Sequence, residues 1–245
     1  MHLDGGQRRG FFLTLEGPEG SGKSTQAQRL AARLATAGYP CAVTREPGGT
    51  RLGEEIRQIL LHGMSPIPAA DALLFNAARA QLAAEVIEPA LARGEIVICD
   101  RFSDSTLAYQ GYGAGQALDA LRELARFAVG GLVPDMTVLI DLPVEEGLGR
   151  KFGGPEITRF ESTEDVAFHG RVRAGFLALA AAEPDRFLVV DGRQSLDSIE
   201  AEIGEALLSR IGLRDKLLQG EAERGVHRSG TAPSEPERAS LRMNK

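Results

Sequence analysis

The sequence predicts an α/β fold of three layers: a central five-stranded parallel sheet with helices on both faces. Two observations predict it. Five short apolar runs alternate with segments of helical period along most of the 245 residues, which is how a parallel sheet with helical crossovers reads. The runs are β-branched and nearly uncharged, as strands buried on both faces must be.

The elements follow in order. Residues 1–10 are polar and read as a flexible leader. Phe11–Glu16 (FFLTLE) is the first strand, ended by Gly17. Residues 22–37 carry Gln26, Leu30, Ala31 and Leu34 at helical spacing, and Gly38 and Pro40 stop that helix. Cys41–Arg45 is the second strand, closed by a Pro-Gly-Gly turn at 47–49. A short amphipathic helix is expected over 53–61 and a long Ala- and Leu-rich one over 69–92, capped by Gly94. Ile96–Asp100 (IVICD) is the third strand, a helical pattern covers 117–128, and Met136–Asp141 is the fourth strand. Residues 163–182 are helical, Phe187–Asp191 is the fifth strand, and a helix over 196–211 closes the domain. From 213 to 245 the chain is charged, holds Gly, Pro and Ser, and lacks apolar periodicity, so a disordered tail is expected.

Composition narrows the function. Lys and Arg number 28 against 34 Asp and Glu, a net charge of −6. An extended nucleic-acid surface carries the opposite sign, so no nucleic-acid partner is expected. No apolar run reaches the ~20 residues of a membrane span, and the first ten residues lack the apolar core of a signal peptide. Cys41 and Cys99 both fall in strands and read as buried reduced thiols of a cytosolic protein.

The chemistry enters at Gly17-Pro18-Glu19-Gly20-Ser21-Gly22-Lys23-Ser24, a match to G-x-x-x-x-G-K-[ST] with a strand before it and a helix after it. Glycines let backbone N–H groups curl around phosphate oxygens. The helix N-terminus aims its positive dipole end at the same oxygens. Lys23 supplies a mobile charge for the β- and γ-phosphates, and the Ser24 hydroxyl is a ligand for Mg²⁺. The motif requires a nucleoside triphosphate and leaves open whether water or an acceptor takes the phosphoryl group.

Acceptor candidates lie at the carboxyl ends of the other strands, where ligands bind in such sheets. Arg101 is placed to reach a phosphate, and Asp100 to hold a Mg²⁺-bound water or to orient Arg101. Phe75 and Arg79 are four apart on the long helix and share a face, suited to stack on a base and bond its carbonyl. Ser105, Thr106, Tyr109 and Gln110 form two polar pairs at i,i+4 spacing, and Arg57 stands one helix beyond Thr44–Thr50. Arg150, Lys151 and Arg159 flank a Gly-Gly-Pro stretch that reads as a mobile lid. The residues alone leave three readings: a kinase for a nucleotide or nucleoside, a triphosphate-driven switch, and a nucleotide-binding protein with an inactive lid.

Six stretches in order carry a family pattern: FFLTLEGPEGSGKST, TREPGGT, LLFNAARAQL, DRFSDSTLAYQGYG, PDMTVLIDLP and VVDG. Across about Phe11 to Ile211 the chain resembles the bacterial thymidylate kinases, dTMP kinases of the P-loop nucleoside-monophosphate kinase group. The resemblance implies a P-loop NTPase fold over 11–212 with a lid at about 147–161, and transfer from ATP to dTMP with Mg²⁺. It implies an ATP cradle of Gly17, Pro18, Glu19, Gly20, Ser21, Gly22, Lys23, Ser24 and Thr25. Glu19 would lie by the sugar of dTMP, Phe75 would stack on thymine, and Arg79 would bond its carbonyl. Ser105, Thr106 and Gln110 would belong to the dTMP pocket, with Tyr109 crowding the 2′ position. Arg57 and Arg101 would hold the acceptor phosphate beside Glu46. Lys23, Arg101, Arg150 and Arg159 would be catalytic, and Ser24 and Asp100 would serve the metal, Asp100 through water. A cytoplasmic homodimer is also implied. The lid departs from the pattern: Thr158-Arg159-Phe160-Glu161 stands where the family has Asp-Arg-hydrophobic-Glu, which leaves Arg150, Lys151 and Arg159 as alternatives for the lid cation.

Overall fold

The computed structural model describes residues 10–62, 67–151 and 166–228. The chain divides into two compact units, Met1–Ala206 and Leu207–Lys245. The first holds the sheet and the cavity, and the described part of the second is helical.

All five strands have the bounds expected from sequence: β1 Phe11–Glu16, β2 Cys41–Arg45, β3 Ile96–Asp100, β4 Met136–Asp141 and β5 Phe187–Asp191. They pair in parallel in the order β2-β3-β1-β4-β5. Order therefore reverses beside β1, and the crevice outside its carboxyl end is where ligands bind in open α/β sheets. Register brings Glu16, Asp100 and Arg45 to that one edge: Leu15 pairs with Asp100, and Arg45 with Asp100.

Among the described residues nine α-helices connect or follow these strands: α1 Lys23–Thr36, α2 Arg51–His62, α3 Pro68–Leu82, α4 Glu88–Ala92, α5 Ser103–Thr106, α6 Leu118–Val129, α7 Val144–Lys151, α8 Val166–Ala182 and α9 Leu196–Arg228. Pro68 stands in the first turn of α3, where its missing N–H has no partner to lose. Gly130, left-handed at φ +59°, ends α6.

Three differences from the sequence reading are physical. The long helix over 69–92 is interrupted by a π-helical turn, Ala83–Ile87, and a second π turn, Leu107–Gly113, follows α5. Gly147–Lys151, expected in the lid, belongs to helix α7. Helix α9 runs to Arg228, past the expected domain end at 212. Residues 213–228 are mostly Leu, Lys, Arg, Gln and Glu, which favour a helix even without an apolar stripe. The leader at 1–9, the lid residues 152–161 and the tail residues 229–245 lie outside the described residues.

Strand alternation sorts the core. Phe12, Val97 and Cys99 point to one side of the sheet, against Leu82, Ile87, Leu91, Phe102 and Val129. Thr14 shares that side and bonds Thr137 across β1–β4 at 2.8 Å. Each such fully buried Leu, Ile or Phe contributes about 1.5–3 kcal/mol. Helix α1 contacts β1, β2 and β3. Both cysteines are free thiols; Cys99 is buried as expected, whereas Cys41, at the start of edge strand β2, is only half-buried.

Candidate active site

The P-loop occupies the junction of β1 and α1. Gly17 (φ +147°) and Gly20 (φ +70°) take backbone angles that L side chains rarely adopt. A Cβ on Gly17 would overlap the Ile140 carbonyl, and one on Gly20 would overlap the backbone of Gly147 in α7. Both glycines are thus required by the path of the loop. The Lys23 ammonium donates to Gly17 O (3.0 Å), Pro18 O (2.8 Å) and Ser21 Oγ (3.2 Å). Burial, then the Arg101 charge, lowers it to about 8.

The Ser24 hydroxyl donates to Asp100 Oδ2. Asp100 Oδ1 is buried with no hydrogen-bond partner among the described residues. Mg²⁺ takes hard oxygen ligands, one or two of them from protein and the rest from phosphates and water. A hydroxyl beside a carboxylate with a spare buried oxygen fits that ion. Among the described residues no cluster of three or more His, Cys, Asp or Glu is placed to hold a metal.

Arg101 links the loop to the rest of the site. Its φ of +73° is the only positive one among described non-glycine residues, a conformation that costs about 1–3 kcal/mol and persists only where surroundings enforce it. Its Nη1 donates to Gly17 O (3.4 Å) and Ser105 Oγ (3.2 Å), its Nη2 to Glu19 Oε1 (2.6 Å) and the Tyr109 hydroxyl (3.2 Å). The Tyr109 hydroxyl donates to the same Glu19 oxygen at 2.7 Å. The guanidinium also lies over the Tyr109 ring, 5.0 Å from its centre.

These groups border one cavity of about 380 Å³. The structure brings into its wall Glu19, Gly20, Gly22, Lys23, Ser24 and Thr25 from the P-loop, together with Glu46, Arg57, Phe75, Asp100, Arg101, Ser105, Thr106, Tyr109, Gln110 and Arg150. Arg57 Nη1 is steadied by Pro47 O at 2.9 Å. Arg150 Nη1 donates to Gly192 O at 3.1 Å, which ties α7 to the loop after β5. Arg159 lies outside the described residues, as does the side chain of Lys151.

Arg79 lies on the same helix as Phe75 and is not among the residues lining the cavity. It is 1% exposed and stands behind the wall. Its Nε donates to both Glu46 oxygens (3.1 and 2.8 Å), its Nη1 to Asn76 Oδ1 (3.0 Å), and its Nη2 to Phe102 O and Thr106 Oγ1 (3.0 Å each). Burial pushes the Glu46 carboxyl up, against the pull of this guanidinium.

Two further residues were not singled out by the sequence reading. Arg45 lines the cavity and bonds Glu54 at 3.1 Å; its signal was the TREPGGT stretch itself. Glu16 is wholly buried at the end of β1. Its Oε1 accepts from Phe102 N (2.7 Å) and Ser105 N (3.3 Å), and its Oε2 from Ser105 Oγ (2.6 Å). Burial, with Asp104 second, pushes its carboxyl up to about 8.

Over most of its length the chain is similar to known proteins. A family model described as thymidylate kinase matches residues 15–203. The chain is 52% identical over 203 residues to a thymidylate kinase of Deinococcus radiodurans, covering 82% of this chain and 98% of that protein. It is 56% identical over 182 residues to one of Thermomicrobium roseum, covering 74% and 86%. The crystal structure of thymidylate kinase from Ehrlichia chaffeensis superposes with a TM-score of 0.68 at 33% identity, over 81% of this chain and 98% of that one.

Proposed function

The chain belongs to the thymidylate kinase family, and from that premise we propose how its residues divide the work. The enzyme phosphorylates dTMP to dTDP at the expense of ATP. The observation that carries the division is a single cavity whose wall takes in Lys23 and Ser24 of the P-loop together with Phe75 of α3 and Gln110. Arg101 bonds to Gly17 and Glu19 of the P-loop and to Ser105 and Tyr109 after β3.

In this reading the P-loop, Gly17 to Thr25, cradles the triphosphate of ATP through backbone N–H groups and Lys23. Ser24 and, through water, Asp100 hold Mg²⁺, which when bound neutralises charge on the phosphates. Phe75 stacks on thymine. Thr106 and Gln110 face the base edge, and Arg79, which donates to Thr106 Oγ1, bonds the thymine carbonyl. Tyr109 and Glu19 flank the sugar, and Arg57 and Arg101 hold the acceptor phosphate, with Glu46 close by.

The nucleophile is an oxygen of that phosphate, already ionised at neutral pH, so no strong base is needed. Catalysis is alignment plus charge stabilisation by Lys23, Arg101 and a cation from the lid side. Arg150 is the candidate whose side chain is described, since it lines the cavity; Lys151 and Arg159 are the other two.

We also place the enzyme in the cytoplasm as a homodimer. Among the described residues no helix is long and apolar enough to cross a membrane. Leu52 and Ile59 of α2, Leu73 of α3 and Phe127 of α6 are exposed, on three helices that pack in sequence. Light scattering on the purified chain tests the dimer; a monomer at micromolar concentration contradicts it.

The division of residues is tested by a phosphoryl-transfer panel of dTMP, dUMP, dCMP, dGMP and thymidine with labelled ATP. dTMP is the expected preferred acceptor, and Arg101→Ala is expected to depress every phosphate-bearing acceptor. An Arg101→Ala enzyme with unchanged kcat/KM for dTMP overturns the assignment of that arginine.

A further inference from the structure

We propose that Glu16 is a positioning residue that fixes the turn over 101–105 and so aims Arg101 into the cavity. The proposal rests on the reading above that Arg101 holds the acceptor phosphate.

Glu16 does not line the cavity, and no step of the transfer uses it. Its two oxygens take three hydrogen bonds, all from the turn that carries Arg101: Phe102 N, Ser105 N and Ser105 Oγ. The nearest of these donors in sequence, Phe102 N, is 86 residues away, so the contact exists only because β1 and β3 are neighbours with Leu15 opposite Asp100. It grips the backbone one residue beyond Arg101, whose φ of +73° needs such enforcement.

The turn is held from a second direction as well. Arg186 grasps the Asp104 carboxylate with both terminal nitrogens (2.7 and 3.0 Å) and donates to Thr137 Oγ1 on β4 at 2.7 Å. The strand end and the β4–β5 side of the sheet thus clamp residues 102–105 between them. Arg101 leaves this clamp and spreads its guanidinium over Gly17, Glu19, Ser105 and Tyr109. Removal of Glu16 strands a buried Phe102 N–H and releases the turn. Glutamine retains a carbonyl oxygen for that N–H.

The test is a double-mutant cycle on the full chain, with kcat and both KM values measured for Glu16→Ala, Glu16→Gln, Arg101→Ala and the double variant Glu16→Ala/Arg101→Ala. Arg101→Ala is expected to lower kcat/KM for dTMP by about 10²-fold or more. Glu16→Ala is expected to lower it by about tenfold or more with the KM for ATP within about twofold, and Glu16→Gln to recover most of the loss. In the Arg101→Ala background, Glu16→Ala should add less than about twofold, because its effect passes through the missing arginine.

Full multiplication of the two single effects overturns the proposal, as does a folded Glu16→Ala enzyme of normal kcat/KM. Should Glu16→Ala not fold, Glu16→Asp, which withdraws the carboxylate from the turn, takes its place in the same cycle. Harmless Arg101→Ala would instead overturn the reading of Arg101, so the two failures are told apart.

Discussion

Arg101 Nη2 stands 2.6 Å from Glu19 Oε1, so the cation at the end of β3 is bonded to a carboxylate in the middle of the phosphate loop. Both side chains are largely buried, at 17% and 12% exposure, so solvent screens the pair weakly. In the proposed division of residues, this pair ties the loop that would cradle the donor to the turn that would hold the acceptor phosphate, so part of their mutual alignment is in place before either substrate arrives. Such prealignment is worth several kcal/mol of barrier where it has been measured.

Phe75→Ala removes the half-buried ring in the cavity wall. Binding of dTMP is expected to weaken by about 1–3 kcal/mol, the range for base–aromatic stacking, with ATP affinity unchanged. Isothermal titration calorimetry checks this, and unchanged dTMP affinity refutes the stacking role.

Arg79→Met leaves the Glu46 carboxyl, 4% exposed, without the guanidinium that meets it at 2.7 Å. Breaking a buried pair from one side costs about 3–5 kcal/mol. Urea unfolding of the variant should show a loss of that order. A loss under about 1 kcal/mol would mean that the pair behaves as a surface pair and that Glu46 finds other partners.

Gly147→Ala puts a Cβ into the Glu19 carbonyl oxygen. Helix α7 must then move off the P-loop and take Arg150 with it. We expect kcat to fall by about tenfold or more while both KM values change little, since small misplacements cost rate before they cost binding. A variant with wild-type kcat would show that the contact between α7 and the loop does not set the position of Arg150.

The pH dependence of stability has a definite sign at Glu16. Burial first and Asp104 second raise its carboxyl from 4.5 to about 8 in the folded protein, so the native state holds this proton more tightly than the unfolded chain. The contribution is complete below about pH 4.5 and is lost as pH rises through about 8. Tm of the wild-type chain should therefore decline between about pH 5 and 8.5 more steeply than that of Glu16→Gln, which cannot titrate. Parallel slopes would contradict it.

The strands were legible to the residue because each is a short apolar run bounded by Gly, Pro or a charge, and local chemistry settles such bounds. The P-loop was legible for a similar reason: Gly17 and Gly20 do what their positions require of any residue there. What depends on depth was not. Spacing places Phe75 and Arg79 on one face of α3, but only packing puts Phe75 in the cavity wall and Arg79 behind it. Glu16 reads as the polar end of a strand, and its partners lie 86 and 89 residues away. Helix α7 was hidden by Gly147 and Gly149, which weaken helical propensity; Gly147 stands there because the helix lies directly on the P-loop.

A crystal structure with thymidine monophosphate and a non-hydrolysable ATP analogue tests the whole arrangement most directly. Thymine should lie against the Phe75 ring, its phosphate on Arg101, and the γ-phosphate on Lys23, in line for transfer. Thymine seated away from Phe75, or a monophosphate out of reach of Arg101, contradicts it.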